Sequence, residues 1–340
     1  MRHVVAQVGR RGVAVAAGML LVFCVVLVTP QLLGSRVADA LDTLGGANPR
    51  WLWLAGGAFV LALLAAAGSW RSAIGLCGSR IGPVDSAARY GVGSLVNTFT
   101  PARAGDAVRF GLFSRALDPS ERLWRTGGAF AALGAARAAV LAVLVLIGAL
   151  MGALPVWPLL VLLALAATAV GLATCVRRRD AGGPAGHLLD AFRTLGREPL
   201  AGAQLVGWLA LVVGARVAAA AAIGDALGIR SPLAAAFVIV PALDVAGILP
   251  LTPGNVGVTS GAVAVAFRAH GISFTQGLAA GIAFHAVEIA VGIAFGLCSL
   301  VWIAPYPTPA LRRLALVAAG ASASLAVAGA FSATVILSLV

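Results

Sequence analysis

The chain is 340 residues long, and 61% of its side chains are hydrophobic while only 11% are charged. Soluble domains average roughly 45–50% apolar and about 25% charged residues, so this composition excludes an ordinary soluble fold and, with it, a soluble enzyme. All 24 basic residues are arginines, against 12 acidic residues, which gives a net charge of +12. Because the arginines lie mostly between apolar runs, this excess predicts contact with anionic membrane headgroups rather than with nucleic acid.

Seven apolar runs are long enough to cross a bilayer as helices, which takes about 20 residues. In chain order they cover residues 12–33, 51–70, 127–151, 156–176, 201–223, 274–303 and 314–339. The first run follows Arg2, Arg10 and Arg11, and its length favours an uncleaved signal anchor over a cleaved leader. The sequence therefore predicts an all-α polytopic membrane bundle of about seven spans, with residues 1–340 forming a single membrane domain.

The arginines also predict the orientation of the chain, because basic residues beside span ends are retained on the cytoplasmic side. With the N-terminus inside, 18 arginines are cytoplasmic, four are outside, and Arg137 and Arg216 lie within spans. Tryptophans at predicted span ends, such as Trp51 and Trp302, fit the interfacial preference of the indole ring. We predict a multi-pass protein of the cytoplasmic membrane with a cytoplasmic N-terminus.

Two further apolar segments, 84–116 and 233–268, are interrupted by proline, glycine and charged residues, so neither is typical of a single span. Each contains the pattern apolar-T-P-x-x-x-G, at residues 99–105 and at residues 251–257. Proline suits the first turn of a helix, because it lacks the N–H that would be unpaired there. We therefore predict that each segment is a re-entrant hairpin of two half-helices, the second of which begins near the Thr-Pro pair.

These segments divide the chain into two units with the same plan: two spans, a hairpin and one more span. The first unit covers 1–151 with hairpin 84–116, the second covers 152–304 with hairpin 233–268, and 312–339 adds a C-terminal span. Three crossings per unit make the second unit inverted relative to the first. Inverted repeats with broken helices are typical of transporters. Because unpaired backbone groups are costly in lipid, we expect the hairpins to face each other inside the bundle.

The first hairpin carries the residue types that bind an anionic headgroup. Arg103, Asp106 and Arg109 are spaced three apart, on one broad face of a helix. A helix N-terminus beside a guanidinium suits phosphate, so Arg103 or Arg109 would hold a lipid phosphate while Asp106 orients one of them. Equally, Asp106 could only neutralise an arginine, or the arginines could meet headgroups at the surface. Asn97 and Thr100 are candidates for headgroup binding or backbone capping, and Pro101 and Gly105 would shape the turn.

The second hairpin has no cation in its turn, so any anion affinity there would depend on backbone amides. Its candidate substrate-binding residues are Thr252, Pro253, Gly254, Asn255 and Gly257. Asp244 lies just upstream, at membrane depth, where an ionisable group is a functional candidate. Asp244 could bind a proton or a cation, or neutralise a buried arginine.

His285 and Glu288 lie three residues apart on one face of the sixth span. A shift of 152 residues, set by the two Thr-Pro motifs, places Glu288 opposite Ala136 and beside Arg137. Glu288 could therefore pair with Arg137, helped by Arg216, and either a structural ion pair or a protonation switch fits the pattern. The H-x-x-E spacing lacks the second histidine of a zinc helix, and there is no P-loop, so we predict neither a metal nor a cofactor.

Residues 97–109 and 249–257 together resemble the transmembrane region of lysylphosphatidylglycerol synthases and the flippase-like proteins built from that region alone. The P-x-R-x-G-D-x-x-R stretch of that family matches Pro101, Arg103, Gly105, Asp106 and Arg109, and its P-G-x-x-G stretch matches Pro253, Gly254 and Gly257. The resemblance implies a bundle with two re-entrant hairpins that moves or handles an anionic or polyprenyl-linked lipid.

Two departures from the family pattern limit what the resemblance implies. Relatives often follow the second motif with an Arg-Glu pair, where this chain has Thr259 and Ser260, so ion coupling or headgroup choice based on that pair is not implied. The full-length synthases append a soluble aminoacyl-transferring domain, whereas this sequence ends in an apolar run at Val340. We therefore do not expect lipid lysylation activity.

The function that we predict is binding and translocation of a phospholipid or polyprenyl-phosphate conjugate across the membrane. One alternative is an intramembrane lipid-modifying enzyme with His285, Glu288 and Asp244 as acid–base groups. The sequence contains no recognisable catalytic motif, so we do not expect the protein to be an enzyme. Another is a non-catalytic partner that presents lipid to a glycosyltransferase or lipid-modifying enzyme. Small-residue faces such as 320–324 suit packing within a subunit or within a homo-oligomer.

Overall fold

The computed structural model describes residues 46–100, 104–119, 122–152, 197–246, 256–268 and 271–304. Within these ranges the chain forms α-helices and no strand. In chain order the helices are α1 (Pro49–Gly75), α2 (Pro83–Phe99), α3 (Ala104–Ser114), α4 (Arg122–Leu150), α5 (Pro199–Ala226), α6 (Pro232–Ala246), α7 (Val256–Arg268) and α8 (Phe274–Ile303). The predicted spans 12–33, 156–176 and 314–339 lie outside the described residues.

Four of the helices are long and apolar enough to cross a membrane: α1, α4, α5 and α8. They contain 27 to 30 residues, which at 1.5 Å per residue gives about 40–45 Å, more than the roughly 30 Å of bilayer hydrocarbon. The predicted spans 51–70, 127–151, 201–223 and 274–303 fall on these helices and are confirmed as helices of spanning length.

Both segments that were predicted to be interrupted are broken into two helices. The first is divided between α2 and α3, and the second between α6 and α7. At the first break, Thr100 has left the helix with φ −113° and ψ 139°, while its N–H still bonds to Val96 O. Residue 101 is a proline, and a residue that precedes proline is driven out of the helical region by contact with the proline ring. The sequence therefore ends α2 where the motif predicted.

The order of the described helices is the same in the two halves of the chain. A long helix, a broken pair and a second long helix occur first as α1, α2 with α3, and α4. The same order follows as α5, α6 with α7, and α8. The division into two units and the inverted sense of the second unit stay predictions, because the first span of each unit lies outside the described residues.

Two apolar clusters hold the described helices together. The larger joins α1, α4, α5, α6, α7 and α8, and within it the Phe59 and Phe284 rings meet edge to face with centroids 4.8 Å apart. The smaller joins the end of α1 to α3, α4 and α5, and there Trp70 stacks on Phe113 at 4.8 Å. Both clusters include residues from each half of the chain, so the two halves share their core.

Helix α2 packs tightly along the C-terminal half of α8. A Cβ atom placed on Gly296 would lie 2.5 Å from Leu95 Cβ, and one on Gly292 would lie 3.8 Å from Thr98 Oγ1. Later residues of α2 therefore contact earlier residues of α8, so the two helices are antiparallel. The C-terminal end of α2, where the first break occurs, approaches the middle of α8.

Helix α7 packs in the same way along the N-terminal half of α8. A Cβ atom on Gly281 would lie 2.7 Å from Ser260 Cα, and one on Gly277 would lie 2.9 Å from Ala264 Cα. Helix α7 therefore also runs antiparallel to α8, and its first residues lie closest to the middle of α8. The end of α2 and the start of α7 thus converge on residues 282–291 of a helix that is long enough to span the membrane.

Candidate functional site

Arg109 of α3 binds across the first broken pair to α2. Its Nη1 donates to Asp106 Oδ1 at 2.6 Å, its Nη2 donates to Ser94 Oγ at 2.7 Å, and its Nε donates to Tyr90 O at 3.3 Å. The guanidinium carbon lies 4.1 Å from the centroid of the Tyr90 ring, and the side chain is only 11% exposed. These contacts satisfy Arg109 between α2 and α3, so the alternative in which Asp106 neutralises a buried arginine is the one that the geometry favours for Arg109.

Asn97, near the end of α2, carries a polar atom that no described residue satisfies. Its Nδ2 donates to Asp106 Oδ1 at 3.2 Å, and this contact fixes the amide, because the flipped amide would place oxygen against carboxylate. Its Oδ1 is buried and has no hydrogen-bond partner among the described residues. Since a buried acceptor without a donor is costly, Asn97 Oδ1 is suited to receive a ligand hydroxyl or N–H group.

Gly105 lets the first turn of α3 approach the last turns of α2. A Cβ atom on Gly105 would overlap Gly93 O and would lie 2.5 Å from Asn97 Oδ1. Both neighbours are inflexible, because one is backbone and the other is held by Asp106. The glycine in the predicted motif therefore keeps the start of α3 against Asn97.

We expect Gly105→Ala to destabilise the protein by about 1–3 kcal/mol, because the added methyl has to push α3 away from α2. Gly111 of the same helix is the matched control, since a Cβ atom there would meet nothing within 4 Å. Gly111→Ala should be neutral or stabilise by up to about 1 kcal/mol, because alanine favours helix over glycine. Thermal unfolding in detergent would compare the two variants, and equal melting temperatures would contradict the close approach.

Of the remaining motif residues, Thr100 and Gly257 are described. Thr100 Oγ1 donates to Val96 O at 2.7 Å, which is a backbone contact of the capping kind. Gly257 is the second residue of α7. The other predicted substrate-binding residues lie outside the described residues: Pro101, Arg103, Thr252, Pro253, Gly254 and Asn255.

A second cluster, which we call the charge network, joins Arg137 of α4, Arg216 of α5, Asp244 of α6, and His285 and Glu288 of α8. Arg137 Nη2 lies 3.1 Å from Asp244 Oδ1, and Arg216 Nη2 lies 3.9 Å from the same oxygen. Arg216 Nη1 lies 2.7 Å from Glu288 Oε1, and His285 Nδ1 lies 3.4 Å from Glu288 Oε2. All five residues that the sequence marked as ionisable at membrane depth therefore form one connected group.

The partners inside the charge network differ from the expected ones. The pair expected between Glu288 and Arg137 is not formed, because Glu288 pairs with Arg216 and Arg137 pairs with Asp244. The shift of 152 residues predicts similar depths on α4 and α8, but it does not predict which helices touch. Helix α4 packs broadly against α5 and α6, and α5 packs against α8, so residues of α5 and α6 come between the two expected partners.

Arg216 is the centre of the charge network. Its side chain is 17% exposed, and its guanidinium carbon lies 5.4 Å from the Phe284 ring centroid. Its Nε is buried and has no hydrogen-bond partner among the described residues. His285 is also buried, with 8% of its side chain exposed. Arg216 therefore links two helices of the second unit, α6 and α8, through two carboxylates.

The sequence interpretation missed two residues that hold Arg109. Tyr90 and Ser94 precede Asn97 by seven and three residues, which places all three on one face of α2. That periodicity was a usable signal for a polar face directed at α3. The partner Arg109 lies beyond the break, so the pairing itself requires the fold.

Within the described ranges, no group of three or more His, Cys, Asp and Glu residues has the arrangement of a metal site. The contacts that the structure shows in the two clusters are ion pairs and hydrogen bonds. The first offers a buried acceptor beside a helix start, and the second offers two guanidinium groups with two carboxylates.

Comparison with known families gives a match over most of the chain. The family model described as lysylphosphatidylglycerol synthase TM region matches residues 12–296. The matched region includes both broken segments and both clusters, and it covers well over half of the chain. No curated protein matches the chain. Together with four helices of spanning length, the match establishes a membrane protein that belongs to the family of lysylphosphatidylglycerol synthase transmembrane regions.

Proposed function

We propose that the protein is a flippase-like transporter that carries an anionic or polyprenyl-phosphate-linked lipid across the cytoplasmic membrane. In this proposal the headgroup binds between the two broken helix pairs, which act as re-entrant hairpins of an inverted repeat. Membership of a family named for a lipid synthase supports a role in lipid handling. The choice of transport over chemistry depends on the placement of the helix breaks.

The observation that carries the proposal is the convergence of both breaks on the middle of α8. The end of α2 and the start of α7 approach residues 282–291 from opposite ends, and α8 is long enough to span the bilayer. Helices that begin at such a depth direct unpaired N–H groups and the positive ends of their dipoles into the bundle. Half-helix ends of this kind bind the anionic groups of substrates in transporters.

The first hairpin supplies side chains to this site. Arg109 already binds Asp106, Ser94 and Tyr90, so we assign the phosphate to Arg103, which directly precedes α3 in the sequence. Asn97 Oδ1 is a buried acceptor and cannot bind phosphate oxygen, so we assign it to a hydroxyl of the headgroup. The site would thus recognise a phosphate that carries a neighbouring hydroxyl, as in glycerol or sugar phosphates.

The test is a leaflet-exchange assay with the purified protein in liposomes that contain fluorescent phosphatidylglycerol. Exchange without chemical change, above the rate in protein-free liposomes, would support transport. An altered lipid product would instead indicate a lipid-modifying enzyme. If the assay shows no exchange and no altered product, the result would favour a lipid-presenting partner and would overturn the proposal.

The role of Glu288 can be tested in the same assay. Because Glu288 is paired with Arg216 at 2.7 Å, we expect it to stabilise the bundle rather than to carry a transported proton. Glu288→Gln should therefore lower thermal stability but leave the shape of the pH profile of exchange unchanged. A pH profile that flattens or shifts in Glu288→Gln would support the protonation switch instead.

A further inference from the structure

Arg137 is a charged residue at the centre of a membrane-spanning helix. It is the sixteenth of the 29 residues of α4, about 22 Å from the start of the helix and about 20 Å from its end. Its side chain is 45% exposed, unlike those of Arg109 and Arg216, which are largely buried. An arginine at this depth is stable only where it faces protein, water or an anion. The exposed part of Arg137 therefore faces a polar region.

The surface around Arg137 has room for a ligand. The exposed residues that flank it on α4 are all small: Gly134, Ala135, Ala138 and Ala139. A Cβ atom on Gly134 would meet nothing within 4 Å. The surface is therefore open at Gly134, one turn before Arg137.

Most hydrogen-bond donors of Arg137 are unused within the described structure. A guanidinium has five N–H donors, and that of Arg137 makes one hydrogen bond to the described residues, from Nη2 to Asp244 Oδ1 at 3.1 Å. In contrast, Arg109 donates from all three of its nitrogens. A planar guanidinium with free donors is the arrangement that binds phosphate with two parallel hydrogen bonds.

The charge network allows Arg137 to change partners without leaving a carboxylate unpaired. Asp244 Oδ1 lies 3.1 Å from Arg137 and 3.9 Å from Arg216, so Asp244 has a second cation beside it. When an anion binds the guanidinium of Arg137, Asp244 can stay paired with Arg216. The cost of releasing Asp244 is therefore smaller than for an isolated buried pair.

We infer that Arg137 is a second binding site for a phosphate monoanion, which competes with Asp244 for the guanidinium in the middle of the membrane. The ligand class is a singly charged phosphate ester, from a lipid headgroup or from a soluble phosphate. The site is formed by residues of α4 and α6, whereas the proposed first site draws its side chains from residues 97–109. It adds to the proposed function a second position for the headgroup, although binding there does not require transport.

Equilibrium binding of fluorescent phosphatidylglycerol to the purified full-length chain in detergent tests the inference. The starting protein is Arg103→Ala, which removes the cation proposed for the first site. Adding Arg137→Gln should weaken binding about tenfold, because a charge-assisted bidentate contact is lost. Adding Asp244→Asn should instead tighten binding about threefold, because the competitor loses its charge. Labelled diacylglycerol, which has no phosphate, should bind equally to all variants.

The matched control is Arg230→Gln, which removes the same charge from an exposed arginine in the connection between α5 and α6. This control should leave binding unchanged. If adding Arg137→Gln to Arg103→Ala gives a protein that does not fold, the double variant Arg137→Gln/Asp244→Asn is made in the same background, because it removes both charges of the pair. This double variant should also bind phosphatidylglycerol about tenfold more weakly than Arg103→Ala alone. Displacement of the label by inorganic phosphate would identify a soluble source, and resistance to displacement would identify a lipid headgroup.

Two results would overturn the inference. One is unchanged phosphatidylglycerol affinity in Arg137→Gln and in the double variant. The other is an Asp244→Asn variant that binds as weakly as Arg137→Gln, because the pair would then be needed only for structure.

Leaflet exchange by the wild-type protein separates this inference from the proposed function. Binding at Arg137 without any exchange would overturn transport alone, whereas exchange that is unaffected by the loss of Arg137 binding would leave transport in place.

Discussion

Replacing Arg216 with methionine is expected to destabilise the folded protein by roughly 3–5 kcal/mol, the usual cost of removing one partner of a buried ion pair. Arg216 lies 2.7 Å from Glu288 and 3.9 Å from Asp244, and its side chain is 17% exposed. The substitution keeps most of the side-chain volume but leaves Glu288 with His285 as its remaining partner and Asp244 with Arg137 alone. Thermal unfolding in detergent, followed by size-exclusion chromatography, would show a large fall in melting temperature or no monodisperse protein.

A second substitution separates charge from packing. Arg216→Met/Glu288→Met removes both charges of the closest pair and leaves the contact between Arg137 and Asp244 in place. Much of the lost stability should return, because replacing a whole buried pair with apolar side chains is often close to neutral. Arg230→Met, at an exposed position outside the helices, is the matched control and should have the same melting temperature as the wild-type protein. If the single Arg216→Met variant also has the melting temperature of the wild-type protein, the charge network does not contribute to the stability of the fold.

The helices could be predicted from the sequence because two simple physical limits act on a membrane chain. Bilayer thickness sets the length of an apolar helix, so the runs 51–70 and 274–303 predicted α1 and α8 closely. Proline 101 prevents its neighbour Thr100 from continuing α2, so the Thr-Pro motif predicted the break. Both limits act locally along the chain, and neither requires knowledge of the packing.

The contacts inside the clusters were predicted less well, because they depend on which helices are neighbours. The pairing of Asp106 with Arg109 follows from their spacing within one helix, and the structure contains it at 2.6 Å. The partner of Glu288 could not be obtained in this way. The depth of a residue in the bilayer can be estimated by counting residues along its span. Which of the helices α4, α5, α6 and α8 are neighbours cannot be obtained in that way. That arrangement decided that Arg216, rather than Arg137, contacts Glu288.

The glycines show the same division between local and long-range information. Gly105 belongs to the predicted motif, and a glycine there allows the close backbone approach that the structure has at Gly93 O. Gly281 and Gly296 occur in an apolar run that has several glycines, so nothing local marked them as contacts for α7 and α2. These contacts nevertheless place both helix breaks beside the middle of α8, on which the transport proposal depends.

Arg103→Ala is expected to abolish leaflet exchange of an anionic lipid while leaving the protein folded. Arg103 directly precedes α3, and the nearby Arg109 is already bound to Asp106, Ser94 and Tyr90 O. Arg103 is therefore the cation that we assign to the phosphate in the proposed site. Loss of a charge-assisted hydrogen bond of about 1.5–3 kcal/mol corresponds to a rate about 10- to 100-fold lower, which would fall to the background of protein-free liposomes.

The matched control is Arg115→Ala, which removes an exposed arginine just after the other end of α3 and changes the net charge equally. Because Arg115 follows the end of α3 that lies away from the break, we expect its variant to exchange lipid at the wild-type rate. Melting temperatures of both variants should match that of the wild type, since neither substitution disturbs the pairing of Arg109 with Asp106. Exchange at the wild-type rate in a folded Arg103→Ala protein would remove Arg103 from the site. The backbone amides at the starts of α3 and α7 would then have to bind the phosphate without a side-chain cation, which predicts a weaker dependence of exchange on headgroup charge.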